Sequence, residues 1–160
     1  MKKTKVTFLT QAAMIAALYV VLTLFISAFN LASGAIQVRV SEALTILPYF
    51  TPAAIPGLFV GCLLSNFITG CALYDVIFGS IATLLGALGT YALRRWKWAA
   101  PICPILSNTL IVPWILVLVY GLEDAVPYLM LTVGIGEVLS CGVLGMILLF
   151  SLEKVAHKVF

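Results

Sequence analysis

The sequence predicts an all-α integral membrane protein, a bundle of six transmembrane helices, on three observations. Hydrophobic residues make up 63% of the 160-residue chain and charged residues only 9%, against roughly 25% charged in a soluble domain. The mean hydropathy is +1.18. Eight of the nine Lys and Arg residues fall into three groups, Lys2/Lys3/Lys5, Arg94/Arg95/Lys97 and Lys154/Lys158, separated by long apolar stretches. Clustered cations in such a chain mark cytoplasmic ends of membrane spans. The net charge of +3 is therefore accounted for by topology, and no nucleic-acid partner is expected. The surrounding partner is the lipid bilayer. Residues 1–160 form a single transmembrane domain, with no room for a second, soluble one.

Clusters on one side of a membrane require an even number of spans between them. Residues 98–151 hold two, split by the turn at 120–127, and residues 8–93 hold four at roughly 20 residues per span. Breaks are expected at residues 30–34, 49–56 and 70–74, where Gly, Pro, Asn and Ser gather. The expected helices are 7–29, 38–50, 54–70, 75–93, 99–119 and 126–151, with both termini cytoplasmic. The second is short for a full span, and the turn at 51–56 carries no cation. Lysines followed by an apolar run from Phe8 to Phe29 resemble a signal peptide, but the run exceeds the usual ~7–15 residues, so a retained first span is expected. Trp96 and Trp98 fall at the inner interface and Tyr74, Tyr120 and Tyr128 at the outer one.

This topology sorts the acids. Glu42, Asp75, Glu123 and Asp124 lie at the outer boundary, Glu137 lies inside the last helix, and Glu153 is cytoplasmic. An ionisable group within the hydrocarbon layer costs at least ~2.5 kcal/mol and is a functional candidate by default. Glu137 is that candidate, with Gly134, Ser140 and Cys141 on its face at helical spacing. Asn108 and Asn66 each admit two readings, helix-packing hydrogen bonds or ligand contact. Asp75 opens its helix and serves as a cap or as a ligand acceptor, with Gly79 and Thr83 leaving room beside it. Arg39, the one cation outside the clusters, sits three residues before Glu42 and either pairs with it or covers a pocket. Loop-tip Glu123 and Asp124 read as solvated.

Four cysteines without CxxC spacing read as buried small hydrophobes, and one isolated His157 makes a metal site improbable. No phosphate loop, HExxH or GxSxG motif occurs. No catalytic residue, resident metal or cofactor is expected. The pairs Ala12/Ala16 and Ala13/Ala17 on the first helix, and Gly57/Gly61/Ser65 on the third, permit close helix approach.

The segments VRVSEALTILP (38–48), AAIPGLFVGCLLSN (53–66) and LYDVIFGSIATLLGA (73–87) resemble the queuosine-precursor transporter (QueT) family, S components of energy-coupling factor (ECF) importers. The resemblance implies six helices with both termini inside and capture of a 7-deazaguanine at the outer face. It implies docking onto one transmembrane coupling subunit and two ATPase subunits, which use the ATP. The partner surface it assigns to helix one falls on Ala12 and Ala16, with Ala13 and Ala17 adjacent. It makes the loop at 30–40 a lid that closes over the ligand. The inferred pocket comprises Arg39, Glu42, Asn66, Tyr74, Asp75, Phe78, Asn108 and Glu137: acids to accept the ring's adjacent donors, amides for its 6-oxo group, and Tyr74, Phe78 or Trp114 as a flat wall. The alternatives are an S component for another purine or small vitamin, an intramembrane enzyme, and a purely structural membrane subunit.

Overall fold

The computed structural model describes residues 2–28, 39–121 and 123–154, with the side chains of residues 2–4 left aside. All regular structure among them is helical. Helix α1 runs Lys2–Ala28, a 3₁₀ helix Val40–Tyr49, α2 Ala54–Ile68, α3 Leu73–Ala92 and α4 Ile102–Leu118. The last helix is α5 (Val126–Glu137), a π segment (Val138–Leu144) and α6 (Gly145–Glu153) in unbroken succession. Four stretches are long and apolar enough to cross a membrane: Lys5–Ala28, Leu73–Ala92, Lys97–Leu118 and Val126–Glu153. Most of the expected lid at 30–40, together with His157 and Lys158, lies outside the described residues.

The contacts fix the directions. Gln11, Tyr19 and Thr23 of α1 meet Thr51, Glu42 and Ser41 respectively, so the 3₁₀ helix runs antiparallel to α1. Gly57 packs on Ala12 and Gly61 on Ala16, so α2 runs parallel to α1. Gly86 and Gly89 of α3 lie against Pro104 and Cys103 of α4, which makes that pair antiparallel. Gly134 and Gly142 of the last helix lie against Thr109 and Ile105 of α4, again antiparallel. With Gly79 beside Asn66 and Thr83 on Cys62, α3 is antiparallel to α2, so the six segments reverse direction five times. Lys5, Arg94, Arg95, Lys97 and Lys154 collect at one end, the basic end, where Lys97 pairs with Glu153. The other end is the open end.

The second element departs from the expected α-helix 38–50. It is a ten-residue 3₁₀ helix, buried from Ser41 to Pro48. At about 2.0 Å per residue it reaches roughly 20 Å, where an α-helix of that length reaches about 15 Å. A short segment thus threads the middle of the bundle, touching α1, α2, α3 and the last helix.

Between lipid-facing helices there is little hydrophobic driving force, so close packing of small residues takes over. A Cβ on Gly61 would come 2.8 Å from Tyr19 Cβ and 3.0 Å from the Ala16 carbonyl oxygen. Ala12 and Ala16 are buried in this seam. That corrects the expectation of a free small-residue face for this pair, since the chain's own α2 occupies it. Ala13 and Ala17, a third of a turn away, are exposed. Prolines free carbonyls that must find donors, and here one does: Pro104 has no N–H for the Ala100 carbonyl, and the Thr90 hydroxyl donates to it at 2.9 Å.

Gly61→Ala is expected to destabilise the protein by about 1–3 kcal/mol through overpacking of the α1–α2 seam. A lowered thermal midpoint in detergent checks this, and an unchanged midpoint refutes the close seam.

Candidate functional site

Polar side chains gather in two layers. The deeper one centres on Glu42, which is completely buried because the 3₁₀ helix carries it back into the bundle. This corrects its placement at the outer boundary. Its carboxylate accepts from the Tyr19 hydroxyl, the Thr83 hydroxyl at 3.1 Å and the Asn108 amide at 3.4 Å. Glu137, also buried, accepts the Cys141 thiol at 3.2 Å. Cys141 reaches the Glu42 backbone carbonyl at 3.4 Å and receives the Thr45 hydroxyl at 3.4 Å.

Four elements deliver these groups to one depth. Tyr19 lies nine residues before the end of α1, Thr83 ten after the start of α3, Asn108 ten before the end of α4, and Glu137 eleven after the start of α5. At 1.5 Å per residue each sits roughly 14–17 Å from the open end. The π segment begins directly after Glu137; such widened turns recur at functional sites.

The shallower layer lines a cavity of about 370 Å³ at the open end. Arg39, Ser41, Asn66, Thr69, Asp75 and Tyr120 line it, with Thr23 and Ser27 from α1. Arg39 donates to Asn66 Oδ1 at 2.9 Å. It makes no ion pair with Glu42; among the described residues Lys97–Glu153 is the only such pair within 4 Å. Tyr120 donates to Asp75 at 3.0 Å and receives the Ala72 backbone N–H at 3.2 Å, so it ties the start of α3 to the end of α4. Burial, and then the neighbouring Asp75 charge, push its phenol up to about 12. Gly79 matters here, because a Cβ would stand 3.2 Å from Asp75 Oδ1 and 3.3 Å from Asn66 Nδ2.

Cys62 separates the layers. Its sulfur receives Thr83 at 3.4 Å, Asn66 at 3.6 Å and Arg39 at 3.9 Å. The structure thus brings Arg39, Asn66 and Asp75 to the cavity and Glu42, Asn108 and Glu137 to the acid layer beneath it. Tyr74 and Phe78 go elsewhere. Their rings stack 6.4 Å apart and line an apolar groove of about 570 Å³ with Trp114 on the outside of α3 and α4. Sequence reasoning passed over Tyr19, Thr23, Thr45 and the hydrogen-bonding roles of Cys62 and Cys141. The available signal was Tyr19 and Thr23, polar groups one turn apart in an apolar span.

Residues 9–154 match the QueT transporter family. The chain belongs to that family. It is a family of transporters and not of enzymes, and with four membrane-capable helices the chain is a membrane protein. A curated relative, the queuosine precursor transporter QueT of Lactococcus lactis subsp. cremoris (strain MG1363), is 38% identical over 98 residues. The match covers 61% of this chain and spans 57% of the relative's length. No solved structure matches.

Tyr19→Phe is expected to cost about 1.5–3 kcal/mol, the range for a hydrogen bond to a charged group. Thermal unfolding in detergent reads this, and a midpoint equal to the parent's would show that the Tyr19–Glu42 bond contributes nothing.

Proposed function

We propose that this chain is the substrate-binding S component of an ECF importer and captures a queuosine precursor, a 7-deazaguanine, at the open end. In this reading the chain crosses the membrane six times, with the basic end and both termini cytoplasmic. The observation that carries it is the cavity opposite the basic end, with a cation, an amide and a carboxylate on its walls. Its volume falls within the roughly 300–1,000 Å³ of small-molecule sites. The name of the Lactococcus relative supports the ligand class.

The chemistry of the walls suits the ligand. A 7-deazaguanine offers N1–H and a 2-amino group side by side, which a carboxylate accepts together, and Asp75 is the carboxylate that lines the cavity. Arg39 and Asn66 supply donors for the 6-oxo group. Glu42, Asn108 and Glu137 form the cavity's polar support rather than its wall, and the stacked Tyr74 and Phe78 face the apolar groove. The chain itself carries no ATP chemistry in this reading. A transmembrane coupling subunit and two ATPase subunits supply the energy, and the exposed Ala13 and Ala17 of α1 offer close approach to the coupling subunit.

Asp75→Asn is expected to weaken binding of 7-aminomethyl-7-deazaguanine at least tenfold, about 1.4 kcal/mol, in titration calorimetry. Unchanged affinity refutes the assignment of Asp75, and mass spectrometry finding a different small vitamin carried through purification refutes the ligand class. Ala17→Trp is expected to abolish co-purification with the coupling subunit while leaving ligand affinity unchanged; retained co-purification would move the partner surface off this face.

A further inference from the structure

Glu42 and Glu137 are 0% and 4% exposed, and one carboxylate oxygen of each and the Cys141 sulfur lie within 4.8 Å of one another. Two carboxylates so close and so far from water cannot both ionise without a compensating charge. The groups facing them are known from each element: Tyr19 on α1, Arg39 before the 3₁₀ helix, Cys62 on α2, Asp75 further out on α3, Cys141 on the last helix, and the uncharged Asn108 on α4. Tyr19 and Cys141 donate through O–H and S–H, so they serve as neutral groups. Arg39 is the one cation among them. It is spent on Asn66 and faces three acids, Asp75 included. Even with Arg39 counted wholly against Glu42 and Glu137, the local sum is one negative charge too many.

The donors are also distributed unequally. Glu42 collects three, two of them hydroxyls and one an amide, the surroundings of an ionised carboxylate. Glu137 has the thiol of Cys141, a weak donor, and a share of the same Asn108 amide, but no hydroxyl. We infer that the Glu42–Glu137 pair holds one proton between them, resident on Glu137, and that this proton fastens the 3₁₀ helix to the last helix. Removing it sets two like charges across the contact made by Thr45, Cys141 and the Glu42 carbonyl, and drives the two elements apart. The pair is thus a pH-sensitive clasp beneath the cavity.

Infrared spectroscopy of the ligand-free protein in lipid tests this whether or not the proposed ligand is right. At neutral pH the parent is expected to show the carbonyl stretch of one protonated carboxyl, absent in Glu137→Gln. It should vanish in Glu42→Gln too, where the like charge that holds the proton on Glu137 is gone. A parent spectrum without the band overturns the inference, as does a band that persists in both variants. The folded pair binds more protons than the unfolded chain, so stability must fall as pH rises. The parent's thermal midpoint should accordingly drop from neutral to alkaline pH, and Glu137→Gln should abolish that slope. An identical slope in that variant would likewise overturn it.

Discussion

A carboxylate buried inside a bundle of apolar helices must be surrounded by donors, and Glu42 imposes this on everything around it. An unpaired charge at that depth costs several kcal/mol, and among the described residues no cation lies within 4 Å to offset it. The compensation is a shell of hydroxyls and an amide drawn from α1, α3 and α4. Each donor sits at a position where its helix must be in register with the others, so the requirement sets the relative heights of three helices. Ordinary apolar side chains could slide past one another at little cost; these cannot.

Register alone does not bring helices close enough for short side chains such as threonine to reach. The small residues do. Gly57 and Gly61 bring α2 onto the backbone of α1, with Tyr19 held beside Leu44, Leu58 and Cys62 in the core. Gly86 and Gly89 bring α3 onto Pro104 and Cys103, one turn below Asn108. The glycine seams and the polar layer are two views of one arrangement, since a larger side chain at Gly61 would displace the residue that donates to Glu42.

The parts of this arrangement legible in the sequence were those set by bulk composition. Apolar run lengths gave helices close to α1, α2, α3 and α4, and grouped cations gave a common end. Glu137 was legible because a carboxylate inside an unbroken apolar run is costly wherever the fold puts it. Glu42 was named for the pocket, but its depth was not legible, because nothing in Val40–Tyr49 announces a 3₁₀ helix. The segment is too short to show a period, and its conformation follows from the depth it must cover. Ala12 and Ala16 were seen as a close-packing surface, but spacing does not say which neighbour packs there, and α2 brought its own glycines. Tyr74 and Phe78 were grouped with Asp75 by proximity in sequence, yet one helical turn spreads neighbours around the axis, which sends Asp75 inward and the two rings outward.

The 3₁₀ helix also explains why two polar layers belong to one site. Arg39 and Ser41 stand at its entrance, on the cavity wall; Glu42 and Thr45 follow, facing the bundle centre. In a 3₁₀ helix residues three apart lie on one edge, so Glu42 and Thr45 share the edge that meets Cys141 of the last helix, and Arg39 precedes that edge as the cap. The cavity wall and the mid-depth donors are thus joined twice, by the three residues of backbone from Arg39 to Glu42 and by the Cys62 sulfur, which receives both Arg39 and the Thr83 hydroxyl that also serves Glu42.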